Sequence, residues 1–220
     1  MRSFFRVVEN ILWPRCFKCL CCDALSEGAF LCPSCRNGLM AMRLSEMEAA
    51  EGNIHSAYQY DGIAKQLVLL LKLECVADAA KMLSEEMAIQ AGKMELPPET
   101  ILTWVTMPER RRRDRGIDHG QLLCEAVADR IGLPMKQLLQ RRGNIHTQRG
   151  LNYQERMNNL NDSLICDKEI HTPVLLIDDV MTTGATASAC TQALMKAGAP
   201  CVYVLTATRV KRRIYQNTEM

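Results

Sequence analysis

Two acids, several hydroxyls and a glycine follow one another in Asp178-Asp179-Val180-Met181-Thr182-Thr183-Gly184-Ala185-Thr186. Adjacent carboxylates at the end of an apolar run lose hydration and repel each other unless hydroxyls or a cation satisfy them, so a purely structural role for both is costly. The threonines, the glycine and the N–H groups of a helix start make a cradle for an anion. Acids for sugar hydroxyls beside a cradle for a phosphate describe a phosphorylated ribose. The bland alternative is a buried strand followed by a Thr-capped helix.

A second cluster lies near the start of the chain. Cys16-x2-Cys19 and Cys32-x2-Cys35 are two knuckles twelve residues apart, a spacing that lets four thiolates converge tetrahedrally on a structural Zn²⁺. Cys21 and Cys22 leave the register open, since Cys19 and Cys22 also form a CxxC pair. Disulfide pairing and an iron–sulfur cluster are the other uses of such thiols. Cys75, Cys124, Cys166, Cys190 and Cys201 stand singly in apolar or helical surroundings and read as core thiols. Nothing near Cys190 in sequence activates it as a nucleophile.

Cations are concentrated in Arg110-Arg111-Arg112-Arg113-Asp114-Arg115-Gly116, which follows the apolar run ILTWVTM. A basic loop at a strand end suits pyrophosphate or a nucleic-acid backbone, and a solvated charge run is the alternative for any single arginine. Lys72 ends the run GIAKQLVLLLKL, where it either covers apolar surface with its stem or reaches pyrophosphate.

The elements that must position these groups alternate between short apolar runs and longer amphipathic segments. HSAYQY is followed by GIAKQLVLLLKL and then by a helical stretch to about residue 92, ILTWVTM comes next, and a helix is expected over 119–131, closed by Gly132 and Pro134. MKQLLQ is a candidate short strand. VLLID, 174–178, is a strand buried on both faces. A helix over 185–197 and the strand CVYVLTA complete a βαβ unit. The sequence therefore predicts an α/β fold, a parallel sheet flanked by helices, with ligands at the carboxyl ends of its strands. Residues 1–45 are expected to form a four-cysteine zinc mini-domain and connector, and 46–220 the main domain.

With 220 residues, 48% of them hydrophobic, the chain has enough for one core and a small appendage. Its 27 Lys and Arg against 25 Asp and Glu give +2, which neither demands nor excludes nucleic acid. Six of the eleven cysteines fall at or before Cys35, which points to metal rather than a secreted disulfide scaffold. No stretch is apolar enough to span a bilayer and no signal peptide is legible, so no membrane insertion and a cytoplasmic location are expected.

VLLIDDVMTTGAT resembles the phosphoribosyl pyrophosphate (PRPP) signature of type I phosphoribosyltransferases. Taken with the Cys knuckles, Tyr58, Tyr60, Gly62, Leu71 and Lys72, the Pro-Arg loop, and Thr147-Gln148 through Arg156 and Asn159, the chain resembles the ComF/GntX family of competence-associated phosphoribosyltransferase-like proteins. The resemblance implies that Asp178 and Asp179 take the ribose hydroxyls. It assigns the 5′-phosphate to Thr182, Thr183, Gly184 and Thr186, within a PRPP-binding segment that includes Val180, Met181 and Ala185. Mg²⁺ would be held mainly by the substrate's own oxygens and water. Arg110, Arg112, Arg115, Gly116 and Lys72 are the candidate pyrophosphate or nucleic-acid contacts. The family's usual Arg-Gly-Phe-Asn-Gln reads Arg115-Gly116-Ile117-Asp118-His119 here, so the likeness carries over to Arg115 and Gly116. His119 is left between a helix cap, a solvent-facing group and a site residue.

Two functions compete. One is Mg²⁺-dependent transfer of phosphoribose from PRPP to an unknown acceptor, in the service of DNA uptake or the use of DNA-derived nucleotides. In the other, the PRPP site is regulatory or vestigial and the protein handles single-stranded DNA or docks a competence helicase. Only 5% of residues are aromatic, few for a base-stacking groove.

Overall fold

The computed structural model describes residues 18–26, 28–107, 117–141 and 164–211. The chain enters through a tight turn at 18–25, where Lys18 and Leu25 form an antiparallel bridge. Helix α1 (Pro33–Met40) follows, with Pro33 at its first turn and Cys32 as N-cap. A one-turn helix, α2 (Glu46–Ala49), closed by a Ser45/Glu48 capping box, leads into the edge strand β1 (Ala50–Glu51). Then come β2 (Ile54–Gln59), α3 (Gly62–Glu74), α4 (Ala77–Gly92), β3 (Ile101–Trp104), α5 (His119–Ile131), β4 (Gln140–Arg141), β5 (Leu164–Ile165), β6 (Val174–Met181), α6 (Ala185–Lys196) and β7 (Val202–Arg209).

The main sheet has the order β1-β2-β7-β6-β3, with β2, β7, β6 and β3 parallel and β1 antiparallel at the edge. This is the helix-flanked, mostly parallel α/β sheet expected from the sequence. Its β6 strand explains the apolar run: Val174, Leu175, Leu176 and Ile177 are fully buried because β6 has a neighbour on each side and helices over both faces. Leu175 and Ile177 pack with α3, α4 and α5, while Val174 and Leu176 pack with α6 and the β4–β5 ribbon. Period-two alternation thus feeds two cores from one strand.

Some expectations shift in detail. MKQLLQ is not a continuous strand: Met135 makes one parallel bridge to Leu102, and only Gln140–Arg141 pairs, antiparallel, with β5. Residues 41–53, which straddle the expected boundary at 45/46, supply α2 and β1. The described part of the Cys-rich segment joins the main core, with Cys19, Leu31, Cys32, Cys35 and Leu39 in the cluster that holds Leu67, Leu71 and Leu83.

Candidate phosphate and metal sites

At its carboxyl end β6 runs out of apolar residues, and Asp178 and Asp179 acquire different surroundings. The backbone N–H of Asp179 donates to Asp178 Oδ1 at 2.9 Å. Asp178 is half-buried, and burial followed by the charge of Asp179 pushes its carboxyl up to about 7. Asp179 is only 6% exposed. Its Oδ1 accepts from Lys72 Nζ at 3.0 Å, and its backbone carbonyl accepts from Thr208 Oγ1 at 2.9 Å. Its Oδ2 lies 3.2 Å from His119 Nε2, at ion-pair distance but without hydrogen-bond alignment, and is sealed from solvent. Burial alone would raise the Asp179 carboxyl; His119 and Lys72 outweigh it and hold it below the ordinary carboxylate range.

Each partner is delivered by a capped helix. Asp61 caps α3 by accepting from the Gly62 N–H at 2.8 Å, Leu67, Val68 and Leu71 bury the helix, and Lys72 emerges from its last turn. Asp118 caps α5, accepting from the Gly120 N–H at 2.9 Å. The other oxygen of Asp118 accepts from Trp104 Nε1 at 3.3 Å and the Met107 N–H at 3.2 Å, which ties the start of α5 to the end of β3. Two of the three positions at which the chain departs from the pattern it resembles therefore have work: Asp118 is a buried cap, and His119 meets Asp179.

After Met181 the chain turns through Thr182 and Thr183, both exposed, to Gly184, whose φ of 82° lies in the left-handed region. Ala185 N–H points to Thr183 Oγ1 at 3.4 Å, and α6 begins. The first turn of α6 thus follows directly on two exposed hydroxyls and a left-handed glycine, a succession that suits a phosphate. Beside it opens a cavity of about 440 Å³, lined by Thr182, Thr183 and Gly184 together with Met47, Gln59 and Arg209.

Arg110, Arg112, Arg115 and Gly116, as well as Thr147, Gln148, Arg149 and Arg156, lie outside the described residues. Cys190 is buried in α6, where burial and then the Asp178 charge push its thiol up to about 12, in keeping with a core thiol. Sequence reasoning missed Thr208 and the cap at Asp118, and left His119 without a settled place. The one available signal was the replacement of the family's amide pair by Asp118-His119.

The second site is a cluster of thiols. The sulfurs of Cys19, Cys22, Cys32 and Cys35 all lie within 4.8 Å of one another, with Cys22 and Cys32 3.6 Å apart. A tetrahedral Zn–S distance of about 2.3 Å implies S···S separations of about 3.8 Å, so the donor set fits zinc. The backbone adds support. Burial alone would raise the Cys19 thiol, but N–H groups of Cys32, Cys21 and Cys22 bring it down to about 6. The Cys35 N–H points to Cys32 Sγ at 3.5 Å. Of the expected ligands, Cys19, Cys32 and Cys35 are in the cluster, Cys16 lies outside the described residues, and Cys22 takes a place in the set. Cys21 is pushed up to about 12, by burial first and then by its neighbours' charges.

No protein-family model matches the chain. Among curated proteins it is similar to the DNA utilization protein YhgH of Salmonella typhi, 27% identical over 196 residues that cover 84% of this chain and 86% of the relative. The YhgH protein of Salmonella typhimurium is 27% identical over 198 residues, with the same coverage. Among solved structures it is similar to glutamine PRPP amidotransferase from B. subtilis, with 14% identity and a TM-score of 0.43 over 64% of this chain and 30% of that one. The adenine phosphoribosyltransferase from Leishmania tarentolae gives 14% identity and a TM-score of 0.41, over 72% of this chain and 92% of that one. Among the described residues, no helix is long and apolar enough to cross a membrane.

Proposed function

We infer that this chain, a ComF/GntX-like relative of the DNA utilization protein YhgH, is a zinc-containing PRPP-binding protein that acts in DNA uptake or in the use of DNA-derived nucleotides. The observation that carries this reading is the order of groups at the end of β6: a half-buried carboxylate, two exposed hydroxyls, a left-handed glycine and the N-terminus of α6. Asp178 would take ribose hydroxyls, and the loop 182–186 the 5′-phosphate. Mg²⁺ would stay largely on the ligand's own oxygens, with Asp178 available to support it.

As a transferase, the chain would break the bond from the anomeric carbon to the pyrophosphate oxygen and form one to the acceptor, whose proton departs. Its residues would act by holding the sugar and neutralising the leaving group. The cavity of about 440 Å³ beside the phosphate loop is within the usual size of small-molecule sites and would admit a nucleobase-sized acceptor.

Calorimetric titration of PRPP with Mg²⁺ tests the site. The wild-type chain is expected to bind, and Asp178→Asn to bind at least about tenfold more weakly through loss of a charge-assisted hydrogen bond, with unchanged zinc content. No binding by the wild-type chain would overturn the reading. Pyrophosphate release with added nucleobases then distinguishes a transferase from a PRPP-sensing protein. The relative's name speaks of DNA utilization, and a second reading is that this chain handles single-stranded DNA directly. That reading requires salt-dependent retention of a single-stranded oligonucleotide at low ionic strength.

A further inference from the structure

Asp179 cannot meet a sugar in the conformation observed. Oδ2 is sealed from solvent beneath His119, Oδ1 is held by Lys72, and the residue as a whole is 6% exposed. Asp178 differs: it is half-buried and stands four residues before the exposed Thr182. The side chain of Lys72 is 40% exposed, so the residue that holds the buried carboxylate also reaches the surface. A lysine side chain is long and flexible and loses rotamer freedom when its head is fixed. A buried counter-ion fixes it before any ligand arrives.

We propose that Asp179 is a positioning residue rather than a ribose ligand, and that it holds Lys72 as the cation for the pyrophosphate group of PRPP. This rests on the reading of the site given above and divides its two acids: Asp178 serves the sugar, while Asp179 serves the charge that meets the leaving group. His119 closes the other side of Asp179 and keeps water from it. Lysine suits the task because it binds phosphate as a point charge and needs no planar partner.

The test compares two probes that differ only by the pyrophosphate group. PRPP and ribose 5-phosphate, each with Mg²⁺, are titrated into the full-length wild type, Asp179→Asn, Lys72→Met and the double variant. Each single change is expected to weaken PRPP about tenfold, the loss of one charge-assisted hydrogen bond, and to leave ribose 5-phosphate within about twofold. The double variant should bind PRPP no more weakly than the weaker single variant, because the two residues act as one unit.

Additive losses, tighter PRPP binding by Asp179→Asn, or weakened ribose 5-phosphate in either single variant would overturn the proposal. If Asp179→Asn does not fold, Lys72→Met still decides, since its position is partly exposed on a helix. Unchanged PRPP binding in that variant removes lysine from the leaving-group side. Failure of the wild type to bind either probe would instead overturn the reading of the whole site.

Discussion

Asp178 and Asp179 share a peptide bond, yet titrate in opposite directions because one faces loss of water and a like charge, and the other faces the His119 ring and the Lys72 ammonium. The consequence for stability has a definite sign. Folded Asp178 keeps its proton up to about 7, whereas the unfolded carboxyl releases it in the ordinary range. Between those values the folded chain binds the extra proton, so the contribution of Asp178 to stability falls as pH rises through the window. The depressed Asp179 contributes stability at neutral pH that is lost as pH falls through its folded value. Asp178→Asn should therefore raise the melting temperature at pH 8 by roughly 3 °C, on the order of 1 kcal/mol once solvent at a half-buried group is allowed for, and give no gain at pH 4. Scanning fluorimetry at the two pH values checks this. An equal gain at both would remove the charge of Asp178 as the cause.

At the scale of elements, the site depends on how closely α5 approaches β3. A Cβ on Gly120 would lie 3.0 Å from the Val105 carbonyl oxygen and 3.1 Å from Trp104 Cδ1. Backbone cannot yield as a side-chain tip does, so Gly120→Ala should push out the start of α5 and disturb the Asp118 cap and His119. We expect a loss of about 1–3 kcal/mol, read as a drop of several degrees in melting temperature. Full stability in that variant would show that α5 has room to move. The extent of α5, His119–Ile131, was legible beforehand because its periodicity ends at Gly132, which adopts the left-handed cap. β1 was not legible: two residues carry no period, and Ala50–Glu51 becomes a strand only by pairing with Ile54 and His55. The loop 182–186 could be singled out as a candidate phosphate cradle because its groups are contiguous. The Lys72–Asp179 contact was not, since it joins residues 107 apart and only the folded sheet brings them together.

For the molecule as a whole, the thiol cluster has more than local importance. Cys19, Cys32 and Cys35 are buried in the same hydrophobic cluster as Leu67, Leu71 and Leu83, so their segment contributes to the core over α3 rather than sitting apart from it. Lys72 is carried by that same helix. Without metal, the turn at 18–25 and the cap of α1 are held only by the burial of Cys19, Cys32 and Cys35 and by backbone hydrogen bonds, and the four thiols drawn within 4.8 Å lose their shared partner. Strong chelation should therefore lower the melting temperature of the whole chain in one transition, by about 10 °C if several kcal/mol of the metal's binding energy supports the fold. Two separate transitions would show that the segment unfolds by itself. The ligand set makes a sharper demand. Cys22→Ser should abolish stoichiometric zinc and reproduce the chelated melting curve, while Cys21→Ser should keep both metal and stability. Retention of zinc by Cys22→Ser would mean that another thiol completes the tetrahedron, and metal analysis of the two purified variants separates these outcomes.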